Sequence, residues 1–116
     1  MTIQEAARRS GLSAHTLRYY ERIGLIHAVD RNGRGHRDYD ERDLEWLAFL
    51  TRLRSTGMSI ADMCRYAQLL RAGAHTAEER RRMLERHREK VAARIAELTQ
   101  DLSALDYKIK TYRETT

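Results

Sequence analysis

The stretch SAHTLRYYERIGLI, residues 13–26, decides the reading of this chain. Ser13 is a helix-capping residue, because its short hydroxyl side chain can accept from a backbone N–H in the first turn. Gly24 is a stop, free to take the left-handed backbone that ends a helix. Between them Leu17 and Tyr20 share one face, while Ala14, His15 and Arg18 share the opposite one. A short amphipathic helix with a basic outer face is therefore expected. Upstream, Thr2 and Glu5 form a capping-box pattern that opens another short helix carrying Ile3, Ala6 and Ala7 and ending near Ser10-Gly11, with Leu12 plugging the turn. Two short helices around a tight glycine turn have the layout of a helix-turn-helix, whose second helix enters the major groove of DNA. On that reading His15 and Arg18 contact base edges, Arg18 being suited to guanine, and Tyr19, Tyr20 and Arg22 reach phosphate. The alternative is a solvated helix whose arginines pair with Glu21.

From Leu25 to Tyr39 the helical period is lost. IHAV and HRDY bracket DRNGRG, and Asn32-Gly33 is a hairpin-turn signal. A two-stranded basic wing is expected here, with Arg31, Arg34, His36 and Arg37 around two glycines that let backbone approach a phosphate. A solvated basic loop is the alternative. Asp40 then opens a helix with Leu44, Leu47, Phe49, Leu50 and Leu53 buried and Trp46 covering one side, ended by Gly57. Ser59 caps the next, which runs to about Arg71 and presents Ile60, Met63, Ala67 and Leu70 before Gly73.

Thr76 and Glu79 suggest another capping box, after which neither glycine nor proline interrupts the chain. The apolar residues Val91, Ile95, Leu98, Leu102, Leu105, Ile109 and Tyr112 follow one another in alternating steps of four and three. That is a heptad seam. A helix over 76–113 would be roughly 57 Å long at about 1.5 Å per residue, too long to bury its stripe on its own small domain. A second chain is the natural cover. Each seam residue contributes roughly 1.5–3 kcal/mol on full burial, so pairing outweighs the ordering cost. Arg81 and Arg88 occupy seam-like positions around Leu84, so tight pairing is expected to begin near Val91.

The fold expected is mainly α, with residues 1–75 as a winged helix-turn-helix domain bearing a small β-hairpin wing. Residues 76–116 form a long C-terminal dimerisation helix and a short tail. Size and composition agree with a binder. The 116 residues leave no room for a large catalytic fold, and 34% are charged against 41% hydrophobic. With 22 Lys+Arg against 17 Asp+Glu the net charge is +5, favouring an anionic partner. Residues 1–39 hold seven arginines against four acids, the steepest excess along the chain. No catalytic Ser/His/Asp, Cys/His or paired-carboxylate constellation stands out, so no enzyme is expected. No pair of histidines sits four apart on a helix, and one cysteine cannot build a thiolate metal site, so no metal or cofactor is expected. A single cysteine suits a reducing compartment, and the start MTIQEAARRSG has no apolar signal core. Lacking any apolar run long enough for a bilayer, the chain is expected to be cytoplasmic, without a membrane partner.

TLRYYERIGLI at 16–26, HRDY at 36–39 and LRSTGMSIADM at 53–63 resemble, in that order, the MerR family of transcription regulators. The resemblance spans the chain. It implies a homodimer with an antiparallel coiled coil that binds an inverted repeat inside a promoter and distorts the DNA, acting on RNA polymerase indirectly. It assigns Arg18 and Tyr20 to DNA contact, Arg37 and Tyr39 to the first wing, and backbone-facing roles to Ser13 and Thr16. Thr56, Gly57 and Met58 fall at the turn of a second wing, where a backbone N–H at a helix start can hold phosphate, with Arg54 nearby. Many members carry paired metal-binding cysteines after the long helix, and others append a large drug-binding domain; neither is expected here. The layout, with AGAHT at 72–76, is similar to a small branch associated with aldehydes or other electrophiles. In that branch the sensing cysteine sits before the second-wing turn, where this chain has Arg52 and Leu53. Cys64 lies elsewhere, either as a small packed side chain or as a sensor. A functional alternative to the regulator is a coiled-coil adaptor that docks proteins and leaves DNA alone.

Overall fold

The computed structural model describes residues 1–26 and 38–115, and the first four of its α-helices each start where a side-chain cap accepts a backbone N–H. Helix α1, Ile3–Ser10, begins with the Thr2 side chain accepting from the Glu5 N–H at 3.1 Å. Gly11, in left-handed backbone at φ 76°, closes it. Helix α2, Ala14–Arg22, starts in the same way from Ser13, whose Oγ accepts from the Thr16 N–H at 3.0 Å. Its end is a Schellman motif: Leu25 N–H donates to the Tyr20 carbonyl at 2.9 Å and Gly24 N–H to Glu21 at 3.3 Å. Helix α3, Glu41–Ser55, opens on a complete capping box between Asp40 and Asp43. The Asp43 N–H bonded to the Asp40 carboxylate holds that group below the usual carboxylate range. Helix α4, Ile60–Ala72, is capped by Ser59.

The core of the N-terminal unit, Met1–Arg80, gathers one face from each of these helices. Ile3 and Ala6 of α1, Leu17 and Tyr20 of α2, Leu47, Leu50 and Leu53 of α3, and Met63, Tyr66, Ala67 and Leu69 of α4 are buried. Leu44 and Phe49 are half-buried rather than enclosed. On α4 the inward face is rotated from the expected one: Leu70 is 41% exposed and Tyr66 takes the interior place. Tyr66 stacks on Trp46 with ring centroids 6.1 Å apart, and Phe49 leans on both. The aromatic trio fills the α3–α4 junction, which leaves Leu70 on the rim of a groove also lined by Leu25, Ile26 and Trp46.

Thr76 corrects an expectation. It lies in a short 3₁₀ turn, Ala74–Thr76, and does not form a capping box with Glu79. Its buried hydroxyl sits 2.6 Å from the Leu69 carbonyl and 2.8 Å from that of Gly73, and accepts from Arg80 Nε at 3.0 Å. Glu79 instead pairs with Arg65 of α4 at 3.1 Å. The carbonyls freed where α4 ends outcompete the helix start for the threonine, because buried acceptors without donors are costly.

Helix α5 runs unbroken over Ala77–Thr115, 39 residues without a single fully buried side chain. Most of it forms the second compact unit, Arg81–Thr116. Ile95, Leu98, Leu102, Leu105, Ile109 and Tyr112 are all exposed, Ile95 by 59% and Leu105 by 60%. Val91 is half-buried. Among the described residues there is no strand, and no helix is long and apolar enough to cross a membrane. The expected hairpin wing, with Arg34 and Arg37, lies outside the described residues.

Candidate nucleic-acid interface

Helix α2 owes its position to what grips its C-terminal turn. Three carbonyls in succession, those of Ile23, Gly24 and Leu25, point away from the helix and each meets a side chain from α3 or α4. Trp46 Nε1 donates to the Leu25 carbonyl at 3.0 Å, and Arg71 donates to Gly24 at 2.8 Å. The Cys64 thiol lies 3.8 Å from the Ile23 carbonyl. A tryptophan donor must be satisfied when partly enclosed, and here one bond satisfies both partners. At the other side, Arg9 of α1 makes a two-pronged pair with Glu41 of α3 at 2.8 and 3.1 Å. The N-terminal amine bonds Asp38 at 2.8 Å, and the Tyr39 N–H bonds the Met1 carbonyl at 2.8 Å. The helix pair α1–α2 is therefore fixed to α3 and its leading segment on one side and to α3 and α4 on the other.

This fixing turns one face of α2 outward. His15, Arg18 and Arg22 are exposed at spacings of three and four, which puts them on a single ridge. Tyr19 is half-buried beside them, with the Arg22 guanidinium 5.4 Å from its ring centroid. Ser13 and Thr16 form a hydroxyl pair at the helix start, with Ser13 Oγ 2.9 Å from Thr16 Oγ1. The outer face thus carries the guanidinium groups of Arg18 and Arg22 and is hydroxyl-lined at its origin. Such a face can lie in a major groove, with the N-terminal hydroxyls near one sugar-phosphate edge and the arginine side chains reaching inward.

The α3–α4 turn is the second exposed polar edge. Thr56 N–H donates to Arg52, Gly57 N–H to Arg54 and Met58 N–H to Leu53, a further Schellman closure with Gly57 at φ 97°. Gly57 and Met58 therefore spend their N–H groups on α3, and the donors that open toward solvent belong to the first turn of α4, at Ile60 and Ala61. Arg54 is exposed next to this turn.

Three residues expected at the interface have buried side chains. Tyr20 is 6% exposed, Met58 6% and Tyr39 1%. Tyr20 occupies the inward face that its spacing from Leu17 dictates, and Tyr39 is pinned beneath the chain start. The opposite omission is the clamp on Ile23, Gly24 and Leu25. Its donors were legible only as a tryptophan, an arginine and a cysteine on other helices, with nothing in their spacing to link them to this turn. No cluster of three or more metal-ligating side chains occurs among the described residues.

A helix-turn-helix whose second helix carries an outward basic ridge defines a DNA-reading protein. Comparison with known proteins makes the class specific. Residues 1–70 match the model of the MerR HTH family regulatory proteins, and residues 44–107 match the MerR DNA-binding model. The chain belongs to the MerR family of transcription regulators. It is 40% identical over 113 residues to an HTH-type transcriptional regulator of Haemophilus influenzae, covering 97% of this chain and 84% of that one. It is 43% identical over 91 residues to the HTH-type transcriptional regulator AdhR of Bacillus subtilis, covering 78% of this chain and 65% of that one. Among solved structures, a MerR family regulator from Listeria monocytogenes superposes with a TM-score of 0.91 at 42% identity, covering 97% of this chain and 85% of that one. HiNmlR, described as a MerR family regulator lacking the sensor domain and bound to promoter DNA, superposes with a TM-score of 0.88 at 40% identity, covering 97% of this chain and 90% of that one.

Trp46→Phe tests the clamp, since it keeps an aromatic ring in the stack and removes the donor to Leu25. The expected result is a loss of about 1 kcal/mol in unfolding free energy by denaturant titration, deepened by Arg71→Met. Unchanged stability in the double variant would show that the turn holds itself.

Proposed function

We propose that this regulator binds an inverted-repeat promoter operator as a homodimer and distorts the duplex. The observation that carries the reading is the outward ridge of His15, Arg18 and Arg22 on a helix clamped at its C-terminal turn. Arg18 and His15 contact base edges, while Ser13, Thr16, Tyr19 and Arg22 hold the adjoining backbone. Ile60, Ala61 and Arg54 grip a phosphate further along, with Gly57 shaping the turn that presents them. Arg34 and Arg37 would add first-wing contacts. The promoter DNA bound by HiNmlR, which this chain resembles along nearly its whole length, supports the same partner here.

Dimerisation follows from the exposed seam from Val91 to Tyr112, because apolar surface of that length is stabilised only when covered. Two DNA-reading units fixed by one coil meet two half-sites at a set separation. A duplex whose half-sites do not match must bend or untwist, at a cost of order 1–6 kcal/mol, and shape thereby contributes to specificity. A change in the DNA's path is what RNA polymerase would register. The protein acts without catalysis, and its setting is the cytoplasm.

The signal class that fits is a small reactive molecule such as an aldehyde, acting on Cys64. That thiol is half-buried and faces the carbonyl of Ile23, so its modification would disturb the clamp on α2. Cys64→Ser should retain promoter binding and abolish a change in footprint on aldehyde treatment. A variant that still responds would remove Cys64 from the account.

Fluorescence anisotropy on a duplex from the promoter upstream of the protein's own gene tests the interface. Arg18→Ala should weaken specific binding by about 1–3 kcal/mol and relax base preference at one position. Arg54→Ala should weaken all duplexes evenly and lower the salt slope by about 1. Wild-type affinity in both variants would refute the docking, and salt-insensitive binding would favour the adaptor alternative.

A further inference from the structure

The groove beside the clamp on α2 has the chemistry of a small-molecule site. Its apolar lining comes from Leu25 and Ile26 just past α2, Trp46 of α3, and Ala67 and Leu70 of α4. It encloses about 200 Å³. An apolar cavity of roughly 150 Å³ holds a benzene ring, whereas drug-sized ligands need about 300 Å³ or more. The space therefore suits a single ring with one short substituent. Trp46 supplies an aromatic wall, set in place by its stacking on Tyr66 and its bond to the Leu25 carbonyl. Leu70, 41% exposed, offers apolar surface on the rim that such a ring would take out of water.

Charge decides the substituent. Arg42, Asp43 and Arg71 line the same groove. Asp43 is engaged in the capping box, where its carboxylate accepts from the Asp40 N–H at 2.9 Å. Arg71 gives Nη1 to the Gly24 carbonyl at 2.8 Å and keeps further N–H groups on the same guanidinium. The Arg42 guanidinium has no hydrogen-bonded partner among the described residues, and its charge acts on the Asp40 carboxylate from a distance. Two guanidinium groups against one engaged carboxylate favour an anion, and a carboxylate matches the guanidinium fork. An amine in the same place would meet like charge.

We propose that this groove binds a small aromatic carboxylate, its ring against Trp46 and Leu70 and its carboxylate on Arg42 and Arg71. The site goes beyond the Cys64 reading, since it needs no covalent step. It also touches two of the three clamp donors, because Trp46 and Arg71 hold Leu25 and Gly24. A carboxylate that engages the remaining N–H groups of Arg71 keeps that guanidinium beside Gly24. Occupancy thus steadies the reading helix, and by linkage duplex and ligand each tighten the other's binding. This coupling rests on the operator binding proposed above; the site itself does not.

Trp46 is the one tryptophan of the chain, so its fluorescence reports on this groove. Titration of the full chain with sodium benzoate should give a saturable change with a dissociation constant on the order of 0.1–1 mM. Acetate, benzyl alcohol and benzylamine should each bind about tenfold more weakly or worse, lacking the ring, the charge or its sign. Arg42→Glu and Leu70→Glu, at exposed positions outside the clamp, should each weaken benzoate about tenfold while the helical circular dichroism stays that of wild type. No saturable change up to roughly 20 mM benzoate, as when another part of the chain or a second copy fills the groove, overturns the site. So does equal binding of benzyl alcohol, or wild-type benzoate affinity in both variants. Saturating benzoate should tighten promoter-duplex binding by the wild-type chain about threefold and leave that of Arg42→Glu unaltered. Unchanged or weakened duplex affinity with benzoate bound overturns the coupling alone. A chain that binds benzoate but no duplex contradicts the operator binding and leaves the site standing.

Discussion

A helix that reads DNA must present side chains without shifting under them, and in this protein that constraint falls on three consecutive carbonyls. Ile23, Gly24 and Leu25 turn the chain sharply after α2, leaving acceptors that a short helix cannot satisfy by itself. Cys64, Arg71 and Trp46 answer them from α4 and α3. The reading helix thus borrows rigidity from a larger helical pair, and the orientation of His15, Arg18 and Arg22 follows from that loan. The Arg9–Glu41 pair and the tethered chain start do the same from the side of α1.

The second constraint is apolar. A 39-residue helix with an exposed seam is not a stable endpoint for a lone chain, because its hydrophobic side chains remain in water and its backbone has little tertiary support. In the dimer proposed here, what covers the seam would also set the distance between reading helices. On that proposal dimerisation and DNA recognition form one device, and a signal that altered either the coil or the clamp would be felt by the duplex.

Much of this was legible in the sequence because it is local. Thr2, Ser13, Asp40 and Ser59 announce helix starts, and Gly11, Gly24, Gly57 and Gly73 announce stops, since capping depends on residues a few positions apart. The alternation from Val91 to Tyr112 is equally explicit. What could not be read is tertiary competition. Thr76 has the pattern of a helix cap and is drawn instead to the carbonyls of Leu69 and Gly73. Tyr20 and Tyr39 are aromatic residues of the kind that contact DNA, yet their rings lie almost wholly buried. The turn at Gly57 and Met58 is plain in the sequence, but its N–H groups close α3, which leaves the unbonded helix-start donors to the first turn of α4. In each case the residue type was informative and its partner lay on another element.

The central claim is that two clamped reading helices are held at a fixed separation. It is tested most directly by measuring affinity for a series of duplexes in which the spacing between the two half-sites is varied one base pair at a time. A single sharp optimum, falling away on both sides and repeating no earlier than a full helical turn, is the result this account requires. Equal affinity across the series, or binding to an isolated half-site as tight as to the full repeat, would contradict it.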